Sequence, residues 1–245
     1  MITADQFTMT AIATINSPYK EKFAIPRQPN LVSAAKGQVI LLGDTNNSEL
    51  VRGIEQFSHL WLLFIFNASQ AEGWKPLVRP PRLGGNKKTG VLATRSTFRP
   101  NPIGMSVVKL DRVEQSQVNS KAQCILHVSG LDLLHGTPIV DIKPYLPYSD
   151  AIFQAEAGFA QAKPEPELTI HFSTTSQTEL IAYQEEYHQL AILIEQVLAQ
   201  DPRPAYKRKK LDDKIYGMCL YDLNIQWRII NFTHIEVLSI KKLLE

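Results

Sequence analysis

The chain has almost no cysteine: Cys124 and Cys219 are the two among 245 residues, too few for a disulfide framework. Long apolar runs are missing as well, and residues 60–66, the longest, are far too few to cross a bilayer, so no membrane span is expected. The opening Met1-Ile-Thr-Ala-Asp-Gln-Phe7 has neither the basic nor the apolar region of a secretory signal, which points to the cytoplasm. There is no Gly-x-Gly-x-x-Gly run, which excludes the commonest dinucleotide-binding fold. Gly84-Gly-Asn-Lys-Lys-Thr89 imitates a phosphate loop, but its spacer is absent and no helical pattern follows; it reads as a basic hairpin turn. The histidines (His59, His127, His135, His171, His188, His234) are scattered without Cys-x-x-Cys partners, so no metal site is expected. His59, opening an apolar run beside Trp61, reads as a hydrogen-bonded core residue. No Gly-x-Ser-x-Gly elbow or Cys/His nucleophile context is present, which argues against covalent catalysis.

What is present is a concentration of one charge on stiff loops. Between residues 73 and 110 the chain carries Lys75, Arg79, Arg82, Lys87, Lys88, Arg95, Arg99 and Lys109 and no acidic residue. Within it, Ala93-Thr-Arg-Ser-Thr-Phe-Arg-Pro-Asn-Pro-Ile-Gly104 fixes φ at two prolines and pushes the residues before them into extended backbone. Such a loop can present Arg95 and Arg99 to an anion with little further ordering cost. The alternative is a solvated face of arginines, but the second rigid basic element, Val78-Arg-Pro-Pro-Arg-Leu-Gly-Gly-Asn86, favours polyanion binding. Net charge is only +2, and Lys207-Arg-Lys-Lys210 forms a second local patch, so any attraction to nucleic acid must be local.

The fold class expected is mainly β, with an N-terminal antiparallel β-barrel of short strands over residues 1–160 and a small C-terminal α+β domain over 161–245. Short β segments punctuated by turns are predicted at 9–15, 39–42, 59–66, 90–94, 106–113, 123–128 and 139–142, the third of them covered on both sides. Residues 155–166, rich in Ala, Glu and Pro, read as a linker before a strand at 168–172. Ser176-Gln-Thr-Glu179 matches a capping box, and Leu180, Tyr183, Tyr187, Leu190, Ile194, Val197 and Leu198 keep helical spacing until Asp201-Pro202, which predicts one helix. Strands are predicted at 215–221, 225–231 and 235–240. Two further clusters stand out: Asp132 in the Gly-bounded turn 129–138, and Asp141, Lys143, Tyr145 and Tyr148 around two prolines. Each has a purely structural alternative, Asp132 capping its turn and Asp141 pairing with Lys143.

Several motifs together carry a family resemblance. Ser17-Pro-Tyr-Lys-Glu-Lys-Phe23, Pro26-Arg-Gln-Pro29, Val51-Arg-Gly-Ile-Glu-Gln-Phe-Ser-His-Leu-Trp61, the proline loop, Leu131-Asp-Leu-Leu-His-Gly-Thr-Pro138 and Asp141-Ile-Lys-Pro-Tyr-Leu-Pro147 resemble the TsaA (YaeB-like) family, as do Asp201-Pro-Arg-Pro-Ala-Tyr206 and Asp222-Leu-Asn-Ile-Gln-Trp-Arg228. Its characterised members are tRNA methyltransferases of the TrmO type. The resemblance implies a β-barrel that binds S-adenosyl-L-methionine without a doubly wound sheet, commonly as a homodimer with the cofactor near the subunit interface. It implies a C-terminal domain that helps grip tRNA, and methyl transfer to the exocyclic nitrogen of N6-threonylcarbamoyladenosine beside the anticodon.

Carried over by motif, cofactor contacts fall at Arg27, Gln28, Pro29, Asn67, Ala68, Arg95, Met105, Leu131, Asp132, Leu133 and Leu134. Asn67 stands where the family usually has His, and His135 where an acidic residue is common. The acceptor nitrogen belongs to a urea and is weakly nucleophilic until its proton leaves, so a carboxylate or phenolate base is expected, with Asp132 first and Asp141 and Tyr145 behind it. Arg99 and Lys143 suit the substrate's carboxylate; Arg79, Arg82, Lys207, Arg208, Lys209 and Lys210 suit RNA phosphates, with Trp74 or Phe98 free to stack on a base. Rival readings are a noncatalytic RNA-binding module on the same barrel and a small-molecule methyltransferase, the latter weakened by the C-terminal domain.

Overall fold

A computed structural model of the protein describes residues 6–118, 121–164, 168–204, 207–208 and 210–243. In chain order its first half forms β1 (Ala13–Asn16), β2 (Lys36–Leu41), β3 (His59–Ile65), the short pair β4 (Leu77–Val78) and β5 (Thr89–Gly90), then β6 (Ile103–Val118), β7 (Lys121–Ser129), β8 (Pro138–Pro144) and the short helix α1 (Pro147–Asp150). Six of these strands close an antiparallel barrel in the order β1-β2-β7-β6-β3-β8. The period-two pattern explains the closure: Leu60, Leu62 and Phe64 of β3 and Val108 and Leu110 of β6 face inward and are buried, each worth about 1.5–3 kcal/mol for a fully buried side chain. Trp61, Leu63 and Ile65 point outward and are half-buried, so the expectation that this strand is covered on both faces is not met within one chain.

Pairing registers fix which loops share an end. Ile103 of β6 lies opposite Ile65 of β3, Asn16 of β1 opposite Gln38 of β2, Lys36 of β2 opposite Ser129 of β7, and Thr14 of β1 opposite Pro138 of β8. The connections 17–35, 66–102 and 130–137 therefore leave the barrel at one end, here called the mouth. Gly104 starts β6 there because a Cβ would collide with the rings of Phe64 and Phe66. The predicted strand at 90–94 exists only as the two-residue ladder Thr89–Gly90; residues 91–93 turn into a 3₁₀ segment closed by Thr94, whose N and Oγ1 both donate to Val91 O. The basic turn 84–89 does close a hairpin, β4 on β5.

The second half comprises β9 (Thr169–Phe172), α2 (Thr174–Tyr183), α3 (Leu190–Leu198), β10 (Tyr216–Leu220), β11 (Leu223–Asn231) and β12 (His234–Lys242), with sheet order β10-β11-β12-β9. The single predicted helix is two, interrupted at 184–189, where Gln189 takes a φ of 70° and Tyr187 stacks on Tyr221, its ring centroid 4.8 Å away. The cap also lies three residues earlier than the capping box suggests: Ser173 Oγ accepts from Ser176 N at 3.2 Å. Glu179, instead of reaching back to the helix start, accepts from Ile240 N of β12 at 2.7 Å.

Barrel and sheet share one contiguous apolar core, in which Tyr19, Val32 and Ala35 join Leu190, Ile194, Leu198 and Leu220. Tyr19 bridges Leu220 in an isolated ladder contact, and Tyr221 N donates to Pro18 O at 2.7 Å.

Candidate active site

Three mouth loops are tied together by named polar contacts. Arg95, on the proline loop, donates to Gln28 Oε1 at 2.7 Å, and Lys22 Nζ donates to Ala68 O at 3.2 Å. Asp132, in the 130–137 loop, accepts from Ser106 Oγ at 2.5 Å, where Ser106 is an inward-facing residue of β6 with 1% exposure. Gly130 bends the chain just before Asp132 with φ 73°, and a Cβ there would overlap Asn30 Oδ1. Asn30 N in turn donates to Gly130 O at 2.8 Å, so the loop carrying Arg27, Gln28 and Pro29 is fastened to the loop carrying Asp132. Four predicted cofactor positions from three separate connections (Gln28, Ala68, Arg95 and Asp132) thus lie at one end of the barrel.

The electrostatics of this cluster centre on Asp132. Burial pushes its carboxyl up to about 6, while the Ser106 hydrogen bond and, more weakly, the Arg95 charge pull the other way. A carboxyl so placed changes charge near neutral pH. Burial, and after it the charge of Asp132, holds the Tyr19 phenol well above its ordinary range, so Tyr19 remains a neutral hydroxyl. Burial also lowers the imidazole pKa of His135, with Lys20 acting in the same direction.

The other predicted positions divide by place. Leu131 and Leu133 are core residues, and Leu133 O already accepts from Ser17 Oγ at 2.8 Å; Leu134 O accepts from Thr137 Oγ1 at 2.7 Å. Arg27, Pro29 and Asn67 lie on the mouth loops, Asn67 opening the 3₁₀ segment Asn67–Glu72. Met105 projects from the outer wall, opposite Leu63, which also faces Asp141 on β8. Asp141 is engaged by Lys143 at 2.9 Å, the structural alternative raised from the sequence. Tyr145 follows the end of β8 at the far end of the barrel, where Tyr145 N donates to His59 O and its ring packs against His59 and Trp61. At about 3.3 Å per residue the seven residues of β8 put Tyr145 roughly 20 Å from the mouth, while Asp141 and Lys143 sit partway along the strand, paired with Leu63 and Trp61 of β3.

The cations also sort themselves. Arg99 Nη1 donates to Thr94 O at 2.7 Å and to Val91 O at 3.5 Å, which braces its own loop. Arg82 Nη2 donates to Ala162 O at 2.5 Å and pins the segment that leads to the C-terminal sheet, while Arg79 is exposed. Lys75 covers the Phe98 ring at 4.1 Å, which leaves Trp74, 58% exposed, as the open aromatic. In the second patch Arg208 turns inward and donates to Gln200 O and Asp201 O, so it serves the fold; Lys207 lies 5.6 Å from the Tyr216 ring centroid and Lys210 is exposed. Lys209 lies outside the described residues. Asp201 and Arg203, nearly fully buried, form a two-point ion pair at 2.8 and 2.9 Å, which gives the Asp201-Pro-Arg stretch a structural purpose. Ser106 was missed from sequence, although a lone hydroxyl in the buried phase of a strand, two before Val108, is a readable signal.

The fold and site together define a closed antiparallel β-barrel that carries a buried carboxyl and an arginine at its mouth and is followed by a small α+β half. The chain belongs to the TrmO family of tRNA methyltransferases: the family model for the tRNA-methyltransferase O N-terminal domain matches residues 14–151, and that for the TrmO C-terminal domain matches residues 165–243. It is 50% identical over 223 residues to the tRNA (adenine(37)-N6)-methyltransferase of Escherichia coli K12, covering 91% of this chain and 93% of that one. A Pseudomonas aeruginosa relative named as an S-adenosylmethionine-dependent methyltransferase is 44% identical, over 95% of this chain and 97% of its own. The crystal structure of TrmO from Pseudomonas aeruginosa superposes with a TM-score of 0.78 at 38% identity, covering 97% of this chain and 99% of the other.

Proposed function

We propose that the protein transfers a methyl group from S-adenosyl-L-methionine to the exocyclic nitrogen of N6-threonylcarbamoyladenosine, adjoining the anticodon of tRNA. The observation that carries this reading is the mouth cluster of Gln28, Arg95, Ser106 and Asp132, read beside the names of the relatives. When bound, the cofactor supplies an electrophilic sulfonium methyl and leaves as a neutral thioether. Its amino-acid carboxylate suits a guanidinium, and Arg95, oriented by Gln28, is a fitting partner among the mouth residues. The protein's remaining tasks are alignment, exclusion of water and removal of one proton. As the new C–N bond forms, the urea N–H proton passes to Asp132, whose raised pKa matches acceptance near neutrality.

Arg99, stiffened by the prolines and by the bonds of its Nη1 to Thr94 O and Val91 O, meets the threonyl carboxylate through Nε and Nη2. Arg99→Ala should weaken binding of threonylcarbamoylated tRNA at least tenfold while changing affinity for tRNA lacking that group less than threefold; equal losses refute the carboxylate contact. The outer wall favours a homodimer: Tyr148, Ile152 and Phe153, just beyond β8, are 88%, 76% and 90% exposed, an unusual apolar concentration for a free surface. Dimerisation would bring a second chain against the wall carrying Met105, Asp141 and Lys143, and sedimentation velocity decides it. The cytoplasm, where tRNA is modified, is the proposed location.

The decisive experiment is nucleoside mass spectrometry of tRNA from cells lacking the protein. The modified adenosine should lose one methyl group and regain it on complementation. If calorimetry detects RNA binding but no S-adenosylmethionine binding, the protein is an RNA-binding module and the enzymatic reading fails.

A further inference from the structure

The loop carrying Arg27, Gln28 and Pro29 belongs to the barrel in sequence, yet it is held from two sides. On the barrel side Asn30, at φ 62°, donates its backbone N–H to Gly130 O at 2.8 Å and its side-chain amide to Val107 O at 3.3 Å. On the other side the holder is the C-terminal half. Gln196, on α3, accepts from Ala34 N at 3.0 Å and donates to Ser33 Oγ at 3.1 Å. Gln200, four residues on, donates to Leu31 O at 3.4 Å and also to Gln196 O at 3.1 Å.

The rest of this junction is not packed shut. A cleft of about 680 Å³ opens between the loop and the C-terminal half, with Asn30, Ser33, Glu195, Gln196 and Gln200 in its walls. Val32 and Ala35 anchor one face of the loop in the shared apolar core, and along the cleft, where that packing ends, the two amides supply the directional contacts that fix its backbone. Glutamine suits it because one side chain supplies both an acceptor and a donor. The backbone bonds at Ala34 and Leu31 are also independent of the loop's own side chains, so they constrain its path.

We propose that Gln196 and Gln200 are positioning residues: from the C-terminal half they fix residues 31–34, and through them the placement of Arg27, Gln28 and Arg95 at the mouth. The inference rests on the reading of that loop as a cofactor contact. Both glutamines hold the loop behind Arg27 and Gln28, and neither is part of the cluster around Asp132. A link to the RNA patch follows from the same geometry, because Arg208, next to Lys207, donates to Gln200 O at 3.1 Å. Cations that hold RNA and amides that hold the cofactor loop therefore share one short stretch of backbone.

The test uses full-length protein, calorimetry with S-adenosylhomocysteine as the probe, and steady-state kinetics. Gln196→Leu should weaken the probe about tenfold and raise KM for S-adenosylmethionine similarly, with KM for tRNA within twofold. Gln196→Glu, which keeps the acceptor for Ala34 N, should restore most of the loss. Gln200→Leu should weaken the probe to a smaller extent, about threefold. Unchanged probe affinity in Gln196→Leu overturns the inference, as does an equal rise in both KM values or a failure of Gln196→Glu to rescue. If the leucine variant does not fold, the glutamate variant and Gln200→Leu still decide it: wild-type-like KM for S-adenosylmethionine in Gln200→Leu together with a tenfold rise in Gln196→Glu would refute it. Wild-type protein that fails to bind the probe sinks the proposed function instead, so the two failures are told apart.

Discussion

Asp132 has a measurable sign on pH, because its folded-state pKa of about 6 lies above the ordinary 3.8. The folded chain binds this proton more tightly than the unfolded chain, so stability falls as pH rises from about 4 to about 6 and stays lower above that. The full difference is on the order of 3 kcal/mol at roughly 1.4 kcal/mol per pKa unit. Asp132→Asn keeps an acceptor for Ser106 and removes the charge. It should raise the melting temperature at pH 8 but not at pH 4, a comparison two thermal scans can make. Catalysis runs the opposite way, since a proton acceptor works only when ionised. Wild-type kcat/KM should drop about tenfold per pH unit below pH 6, and the Asn variant should lose a factor of about 10²–10⁴ together with that limb. An unchanged acid limb in the Asn variant would assign the base to another group.

At the scale of elements, the strands were legible and the helical region was only half so. Alternation in β7 marks inward residues directly, Cys124, Leu126 and Val128 being buried, whereas the continuous apolar run of β3 hides which of its faces turns outward. The helix break at 184–189 left no such mark: Tyr183, Tyr187 and Leu190 keep helical spacing across it, and the interruption comes from Tyr187 stacking on Tyr221, a contact 34 residues away in sequence that no local pattern encodes. The capping box at Ser176 misled for a related reason, since Glu179 finds its partner on β12. Ser173→Ala should cost about 2 kcal/mol, the upper end for a helix cap, because Ser173 Oγ also donates to Leu238 O at 3.0 Å, and urea denaturation would show it. Ser176→Ala tests a different bond, the one to Val237 O at 2.8 Å, not a helix cap. Of the site, the loops were found by their proline and glycine chemistry, whereas the separation of Tyr145 from Asp132 needed strand register, which spacing in sequence does not supply.

For the whole molecule, the balance of charge says how RNA affinity should respond to salt. Net charge is +2, so long-range attraction is weak and the response reports the local patches. With Arg208 and Arg82 committed to backbone carbonyls, Lys207 and Lys210 are the described cations of the second patch left to face phosphates. Replacing both by alanine should lower the slope of log K against log salt by about 1.4–1.8, two phosphates' worth, with melting temperature unchanged. A filter-binding titration at several salt concentrations measures this, and an unaltered slope would remove the patch from the RNA interface.

The shared core has a practical corollary. Residues 13–35 bury their apolar side chains partly against Leu190, Ile194, Leu198 and Leu220, which come from the other half of the chain. Cutting after the barrel would strip Tyr19, Val32 and Ala35 of their cover and leave an oily scar beside the loop that carries Arg27 and Gln28. Truncation after residue 160 should therefore lower solubility and melting temperature, which light scattering and a thermal scan of the shortened chain would show.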